Sequence, residues 1–266
     1  MEKIAFSHSP EGYPPGGVLW GIMMREFFKD EIDYNGFFPM PRTLFQYEEL
    51  KDISPIGPWA ELSLAAKSIL PVILAHMFIN ESCCPGIRRI SALAGSSKNT
   101  VCRGVADLKA LPEFTVRKIL TRQGKYKNIY SFKKPVVSIR GSWFPFHRCI
   151  VQSGNWASLT PAAKALYCTM RHWARYDMLS EQTTKDGSGF AERQFDTCNA
   201  QRNILAECAG ITTRSVRNAI KDLENYGLIQ RVQEIDDDGY AKLFEPDEDA
   251  WCVFLRPAHL RNSMSQ

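Results

Sequence analysis

The chain lacks any apolar run long enough to cross a bilayer. Its longest, residues 69–79, carries Pro71 and His76 and falls well short of the roughly 20 residues a spanning helix requires. The opening stretch, MEKIAFSHSPEGYPPGG, has no apolar centre of the kind a secretory leader needs, so the expected location is cytoplasmic, with no membrane partner. No Cys-x-x-Cys pair occurs among the eight cysteines, which removes the zinc-ribbon and thioredoxin-like readings. In a reducing compartment the cysteines are expected to be free thiols. There is no GxxxxGK[ST] segment to cradle a nucleotide phosphate. None of the five histidines forms a His-x-His pair, which argues against a metal-dependent nicking site. His147 with Cys149, and Cys168 with His172 at helical i, i+4 spacing, are the metal-ligand candidates. Neither pair recurs in the other copy of the repeat described below, where Pro41 stands at the place of His147 and Pro71 at that of Cys168, so no metal, no cofactor and no catalytic residue is expected. The acidic run at Glu245, Asp247, Glu248 and Asp249 reads as solvated chain.

Charge is present but unevenly spread. The net of +4 hides a middle stretch, residues 36–137, with 15 basic against 7 acidic residues, a surplus of +8. Residues 1–35 carry −3 and residues 138–266 carry −1. A folded segment with that surplus is expected to meet a polyanion.

An internal repeat organises the chain. Trp59-Ala60-Glu61-Leu62-Ser63-Leu64-Ala65-Ala66-Lys67 matches Trp156-Ala157-Ser158-Leu159-Thr160-Pro161-Ala162-Ala163-Lys164. Upstream, Phe38-Pro39-Met40-Pro41-Arg42 matches Phe144-Pro145-Phe146-His147-Arg148. Downstream, Ala94-Gly95 followed by Val101, Val105 and Leu108 matches Ala209-Gly210 followed by Val216, Ile220 and Leu223. Three blocks in one order predict a tandem pair of related domains.

Each copy reads as an extended FPxxR segment followed by a first helix capped at Ser63 or Thr160. Pro161 suits a first helical turn. Leu159, Ala163, Leu166, Met170 and Trp173 form the expected core stripe of the copy-two helix. Pro71 is expected to kink or shorten the copy-one helix. A second helix, 87–94 or 202–209, ends at Gly95 or Gly210, where a left-handed turn is expected. A third helix starts near Ser97 or Thr212, which completes a helix-turn-helix spacing. Alternating segments follow: 115–120 and 128–132 around Gln123-Gly124-Lys125, and 228–232 and 240–244 around an acidic turn. The predicted fold is therefore mainly α with small β-hairpins (α+β), as two tandem winged helix-turn-helix domains. The expected boundaries are an N-terminal extension at 1–35, domain one at 36–137, domain two at 138–245 and a tail at 246–266. A polar insertion at 180–199 is expected to be an exposed loop, and 18–24 is apolar enough to dock on a domain or a partner.

Ser97-Lys98-Asn99-Thr100-Val101, and Thr212-Thr213-Arg214-Ser215-Val216 running on to Leu223-Glu224-Asn225-Tyr226-Gly227-Leu228-Ile229, resemble bacterial winged helix-turn-helix domains. Leu159-Thr160-Pro161-Ala162-Ala163-Lys164-Ala165-Leu166 is similar to the first helix of such domains in plasmid and phage replication initiators. The resemblance spans about residues 36–135 and 138–245. Copy one departs from it at Ala110-Leu111-Pro112-Glu113-Phe114, which replaces the glycine exit, so a different start to its hairpin is expected. The resemblance implies sequence-specific binding of double-stranded DNA and replication initiation for a plasmid or mobile element. Two alternatives stay open: a transcriptional regulator on the same scaffold, and a replisome adaptor of helicase-loader type that binds proteins.

A recognition helix turns its apolar stripe inward and its polar stripe to the major groove. That leaves Lys98, Asn99, Cys102 and Arg103 outward in copy one, and Thr213, Arg214, Arg217, Asn218 and Lys221 in copy two. Arg matches guanine bidentately and Asn matches adenine, so these side chains suit base reading; a solvated helix face is the alternative. The copy-one hairpin carries Arg117, Lys118, Arg122, Lys125 and Lys127, with Tyr126 and Tyr130 among them, a composition suited to phosphate. Arg88 and Arg89 serve equally well as phosphate contacts or as solvated surface. The copy-two hairpin ends in Asp236-Asp237-Asp238, which phosphate repels, so it is expected to face away from DNA or toward a protein.

Overall fold

Paired glycines and hydroxyl caps punctuate the chain, and the elements follow them. The computed structural model describes residues 36–45, 56–77, 82–133, 143–174, 195–231, 234–235, 241–242 and 251–254. The segments 1–35, 180–194, 236–240 and 246–250 lie outside the described residues, and with them the apolar stretch at 18–24 and the acidic turn at Asp236–Asp238.

The first half runs β1 (Phe37–Pro41), a 3-10 turn (Arg42–Leu44), α1 (Pro58–Glu61), α2 (Leu64–Met77), β2 (Ser82–Cys83), α3 (Ile87–Ala94), α4 (Lys98–Leu108), β3 (Phe114–Leu120) and β4 (Tyr126–Phe132). The second half runs β5 (Trp143–His147), α5 (Arg148–Gln152), α6 (Asn155–Ser158), α7 (Pro161–Trp173), β6 (Phe195–Cys198), α8 (Arg202–Ala209), α9 (Thr213–Asn225), β7 (Ile229–Arg231), β8 (Glu234–Ile235), β9 (Ala241–Lys242) and β10 (Trp251–Phe254). Helices dominate, and the sheets are small and antiparallel.

The two halves share one topology. Each places a strand between its first and second long helices and further strands after its third. The sheet order is β2-β4-β3 in one half and β6-β10-β7 in the other, so the last strand sits in the middle both times. This corrects two sequence expectations. The segment from 246 onward is not simply a tail, because Trp251–Phe254 supplies the central strand of the second sheet. The insertion at 180–199 is not loop to its end, because Phe195–Cys198 forms an edge strand and Cys198 is buried. Trp251–Phe254 thus pairs with Phe195–Cys198 on one side and with Ile229–Arg231 on the other.

Pro71 does not shorten α2. The helix runs 14 residues, Leu64–Met77, and continues well past the proline. Residues 66–75 are buried all round, and that apolar burial outweighs the roughly 3 kcal/mol an interior proline costs. The stripe expected on α7 is too narrow. Leu159, Ala163, Leu166 and Met170 are buried as expected, but so is every residue from Ala163 to His172, while Trp173 is only half-buried. The reason is that α7 is central: it packs on α2, α8, α9 and β6 at once. The exit into the copy-one hairpin differs from that of copy two, as the sequence predicts: α4 stops at Leu108 whereas α9 runs on to Asn225, and Pro112 stands where copy two turns on Gly227 at φ 61°. Leu111 is buried in that turn, and β3 then begins at the position equivalent to β7.

The repeated motifs hold the halves together. β1 pairs antiparallel with β5, with Pro39 opposite Pro145, Phe38 opposite Phe146 and Met40 opposite Phe144. Trp59 and Trp156 are both fully buried. The Trp59 indole N–H donates across to the Ala165 carbonyl at 3.4 Å, and that of Trp156 donates across to the Ser68 carbonyl at 2.8 Å. Lys67, only 1% exposed, donates through Nζ to the Ala60 carbonyl at 3.0 Å and to the Ala209 carbonyl at 2.9 Å. Lys164, also 1% exposed, donates to the Ala94 carbonyl at 2.8 Å. Ala94 and Ala209 end α3 and α8, so each lysine caps the second long helix of the opposite half. Burial pushes both ammonium groups down to about 8, against a smaller opposing pull from Asp107 on Lys67 and from Asp222 on Lys164. The indole and lysine bonds that cross between the halves each have a counterpart with the halves exchanged. That reciprocity is the signature of a two-fold interface, here formed within one chain.

Candidate nucleic-acid interface

Two hydroxyl caps start the helices that carry the candidate readers. The Ser97 Oγ accepts the Thr100 N–H at 3.1 Å, and the Thr212 Oγ1 accepts the Ser215 N–H at 3.1 Å. Each cap hydroxyl also pairs with the hydroxyl three residues on, at 2.9 Å in both halves. Before each cap stands the turn glycine in the left-handed region, Gly95 at φ 57° and Gly210 at φ 60°. Helix, left-handed turn and capped helix thus recur with the same geometry.

The turns are held by the other half. A Cβ on Gly95 would lie 1.9 Å from the Ala157 carbonyl oxygen, and one on Gly210 would lie 2.0 Å from that of Ala60. Ala157 and Ala60 belong to α6 and α1, the short helices of the Trp-Ala motifs. The motif that defines the repeat therefore seats the left-handed turn of its opposite copy.

A carboxylate near the end of the third helix ties it to the first. Asp107 Oδ2 accepts the Ser63 N–H at 2.7 Å. Asp222 Oδ2 accepts both the N–H and the Oγ1–H of Thr160 at 2.8 Å. With Val101, Val105 and Leu108 buried in α4, and Val216, Ile220 and Leu223 in α9, the orientation of each helix about its axis is determined. Gly104 is also buried, and a Cβ there would meet Ala65 and Ile69 of α2 at 2.8–2.9 Å, so α4 lies close on α2.

The remaining face is open in both halves. Lys98, Asn99, Cys102, Arg103 and Ala106 are exposed on α4. At the equivalent positions of α9, Thr213, Arg214, Arg217, Asn218 and Lys221 are exposed. Every recognition-helix residue expected from the sequence thus stands on one solvent-facing stripe of its helix. The buried, half-buried and exposed classes match position for position along 98–108 and 213–223. The chemistry does not match: α4 offers an ammonium, an amide, a thiol and a guanidinium, whereas α9 offers two guanidinium groups, an amide, an ammonium and a hydroxyl.

The copy-one hairpin is anchored at its base and bare at its tip. Phe114, Tyr130 and Phe132 are buried, with Phe114 opposite Phe132 in register. Toward the turn, Leu120 is 62% exposed and Tyr126, directly opposite it, 77% exposed. The turn closes with the Thr121 N–H donating to the Lys125 carbonyl at 2.8 Å and with Gly124 at φ 72°. Arg117, Lys118, Arg122, Lys125 and Lys127 are all exposed along this hairpin. Arg88 and Arg89, in the first turn of α3, are exposed as well. The hairpin expected between 228–232 and 240–244 is corrected: Ile229–Arg231 pairs with Trp251–Val253, and Ala241–Lys242 pairs with Glu234–Ile235, so the returning strand extends beyond the expected segment.

The metal-ligand candidates sit elsewhere. Cys168 and His172 are buried in α7, and His172 stacks on Phe45 with centroids 5.0 Å apart. Burial, helped by the Arg42 charge, pushes His172 down to about 3. Burial raises the Cys168 thiol well above its ordinary value. His147 spends its Nδ1 as the acceptor that caps α5 at Cys149 N–H, 3.4 Å away. Among the described residues no group of three potential metal ligands stands together.

Sequence reasoning missed Lys67 and Lys164, which cap α8 and α3 across the interface. A lysine in the first turn of a helix usually points to water. Its recurrence at the same place in both Trp-Ala motifs was the available signal. Comparisons of the chain with models of protein families, with curated proteins and with solved structures found no match.

Proposed function

We propose that each half is a winged helix-turn-helix domain and that the chain is a sequence-specific double-stranded DNA-binding protein, an initiator of replication for a plasmid or other mobile element. One observation carries this reading. Two capped third helices, held in the same setting, expose matching stripes of donor-rich side chains at Lys98, Asn99 and Arg103 and at Thr213, Arg214, Arg217, Asn218 and Lys221. Arg and Asn on such a stripe suit guanine and adenine edges in the major groove. The hairpin beside α4 adds five exposed cations, which suit phosphate and set orientation rather than sequence. The initiator role rests on the likeness of residues 159–166 to the first helix of such domains in plasmid and phage replication initiators.

Fluorescence anisotropy on labelled duplexes tiled across the flanks of the chain's own gene tests the proposal. Tight, salt-weakened binding to one repeated segment, lost in an Arg214→Ala/Arg217→Ala variant, is the expected result. Equal weak binding to every duplex, unchanged in that variant, refutes DNA reading and favours the adaptor role. A site that binds but does not sustain replication of a circle carrying the gene and its flanks refutes the initiator role alone.

A further inference from the structure

The geometry points to the form of the DNA site: two half-sites in inverted orientation, unequal in sequence, read by α4 and α9 of one chain. The inference rests on the DNA-binding reading above and says how the site must be arranged.

Its basis is the reciprocal interface. A tandem repeat can be arranged by translation, which gives head-to-tail contacts, or by two-fold rotation, which gives contacts that recur with the partners exchanged. Here the contacts recur. Trp59 reaches Ala165 and Trp156 reaches Ser68. Lys67 caps α8 and Lys164 caps α3. Gly95 lies over Ala157 and Gly210 over Ala60. β1 and β5 pair antiparallel about the Pro39–Pro145 pair, which the repeat maps onto itself. A translation satisfies none of these pairs in both directions. The halves are therefore related by a two-fold axis, and α4 and α9 run in opposite senses about it.

Duplex DNA has two-fold axes perpendicular to its own, and a two-fold protein docks with the axes coincident. The half-sites of such a site lie on opposite strands, about ten base pairs apart when the helices enter successive major grooves. In a homodimer the half-sites are identical because the readers are. In this chain they are not. Lys98, Asn99, Cys102, Arg103 and Ala106 on α4 correspond to Thr213, Arg214, Arg217, Asn218 and Lys221 on α9. The site has the architecture of a palindrome without its sequence, so an inspection of the DNA alone misses the inverted symmetry.

Making the readers identical reveals the symmetry. Both the full-length parent chain and a full-length variant with Thr213→Lys, Arg214→Asn, Arg217→Cys, Asn218→Arg and Lys221→Ala are used to select duplexes from a randomised pool. All five positions are exposed, and the buried stripe of α9 is untouched. The parent is expected to enrich a bipartite, non-repeating motif. The variant is expected to enrich a true palindrome that keeps one parental half-site, and to bind the parental site at least about tenfold more weakly. A direct repeat selected by the variant overturns the inference and leaves DNA binding standing. A single half-site, or no motif for the variant where the parent selects one, shows that only one helix reads and overturns it too. No enrichment by the parent refutes the DNA-binding reading itself, and the inference with it.

Discussion

Replacing Gly95 with alanine adds one carbon at the point where the two halves meet most closely. Two costs follow. The first is conformational: at φ 57° an L-residue costs about 1–2 kcal/mol, offset by about 0.4–1 kcal/mol from the less free unfolded chain. The second is steric. The new Cβ would lie 1.9 Å from the Ala157 carbonyl oxygen, 2.7 Å from its carbonyl carbon and 2.9 Å from its Cα, all backbone. No side-chain rotation relieves that, so α3 and α6 must separate, at the roughly 1–3 kcal/mol typical of overpacking. Gly124→Ala and Gly154→Ala are the internal controls. They have φ of 72° and 86°, and nothing lies within 4 Å of the added carbon. They carry the conformational cost alone. Equilibrium urea unfolding of the full chain is expected to show Gly95→Ala less stable than either control by about 1–3 kcal/mol, with Gly210→Ala behaving alike because its Cβ meets Ala60 at 2.0 Å. Equal destabilisation in all four variants would refute the close approach of the halves and the two-fold arrangement built on it.

Other expectations follow from the same interface and site. Lys164→Ala removes a buried stem and the donor to the Ala94 carbonyl, and is expected to cost about 2–4 kcal/mol in the same assay. His172 is held at about 3 in the folded chain against an ordinary 6.5, so the unfolded chain binds its proton first. Its contribution is whole above pH 6.5 and declines as pH falls toward 3, at about 1.4 kcal/mol per pH unit. Stability measured between pH 6.5 and 5 should show that slope in the parent and a shallower one in His172→Phe. A Lys125→Ala/Lys127→Ala variant is expected to lower the salt dependence of DNA binding by about one unit of log–log slope for each phosphate left without its cation, with the preferred sequence unchanged.

Much of the fold and the site was legible because local chemistry decided it. The limits of α3 and α8 follow from Gly95 and Gly210, and the starts of α4 and α9 from Ser97 and Thr212, since caps and left-handed turns act within a few residues. The exposed stripe followed from the spacing of Val101, Val105 and Leu108 and of Val216, Ile220 and Leu223. Non-local packing was not legible. Trp251–Phe254 follows an acidic stretch, and its place between β6 and β7 depends on partners distant in the chain. The all-round burial of α7 depends on four elements that approach it from different parts of the chain. The repeat itself was visible, but that Trp59, Lys67, Trp156 and Lys164 reach across rather than pack within their own copies is a property of the assembled pair.

Cys102 offers the most direct measurement. It is an exposed free thiol in the middle of the outward stripe of α4, and Arg217 holds the equivalent place on α9. Alkylation of Cys102 in the parent chain, and of the thiol introduced by Arg217→Cys, is followed by mass spectrometry with and without saturating selected duplex. If one DNA molecule occupies both helices, alkylation at both positions slows strongly in the complex. Undiminished alkylation at both, under conditions where the duplex is bound, would contradict the assignment of α4 and α9 as the DNA-reading elements.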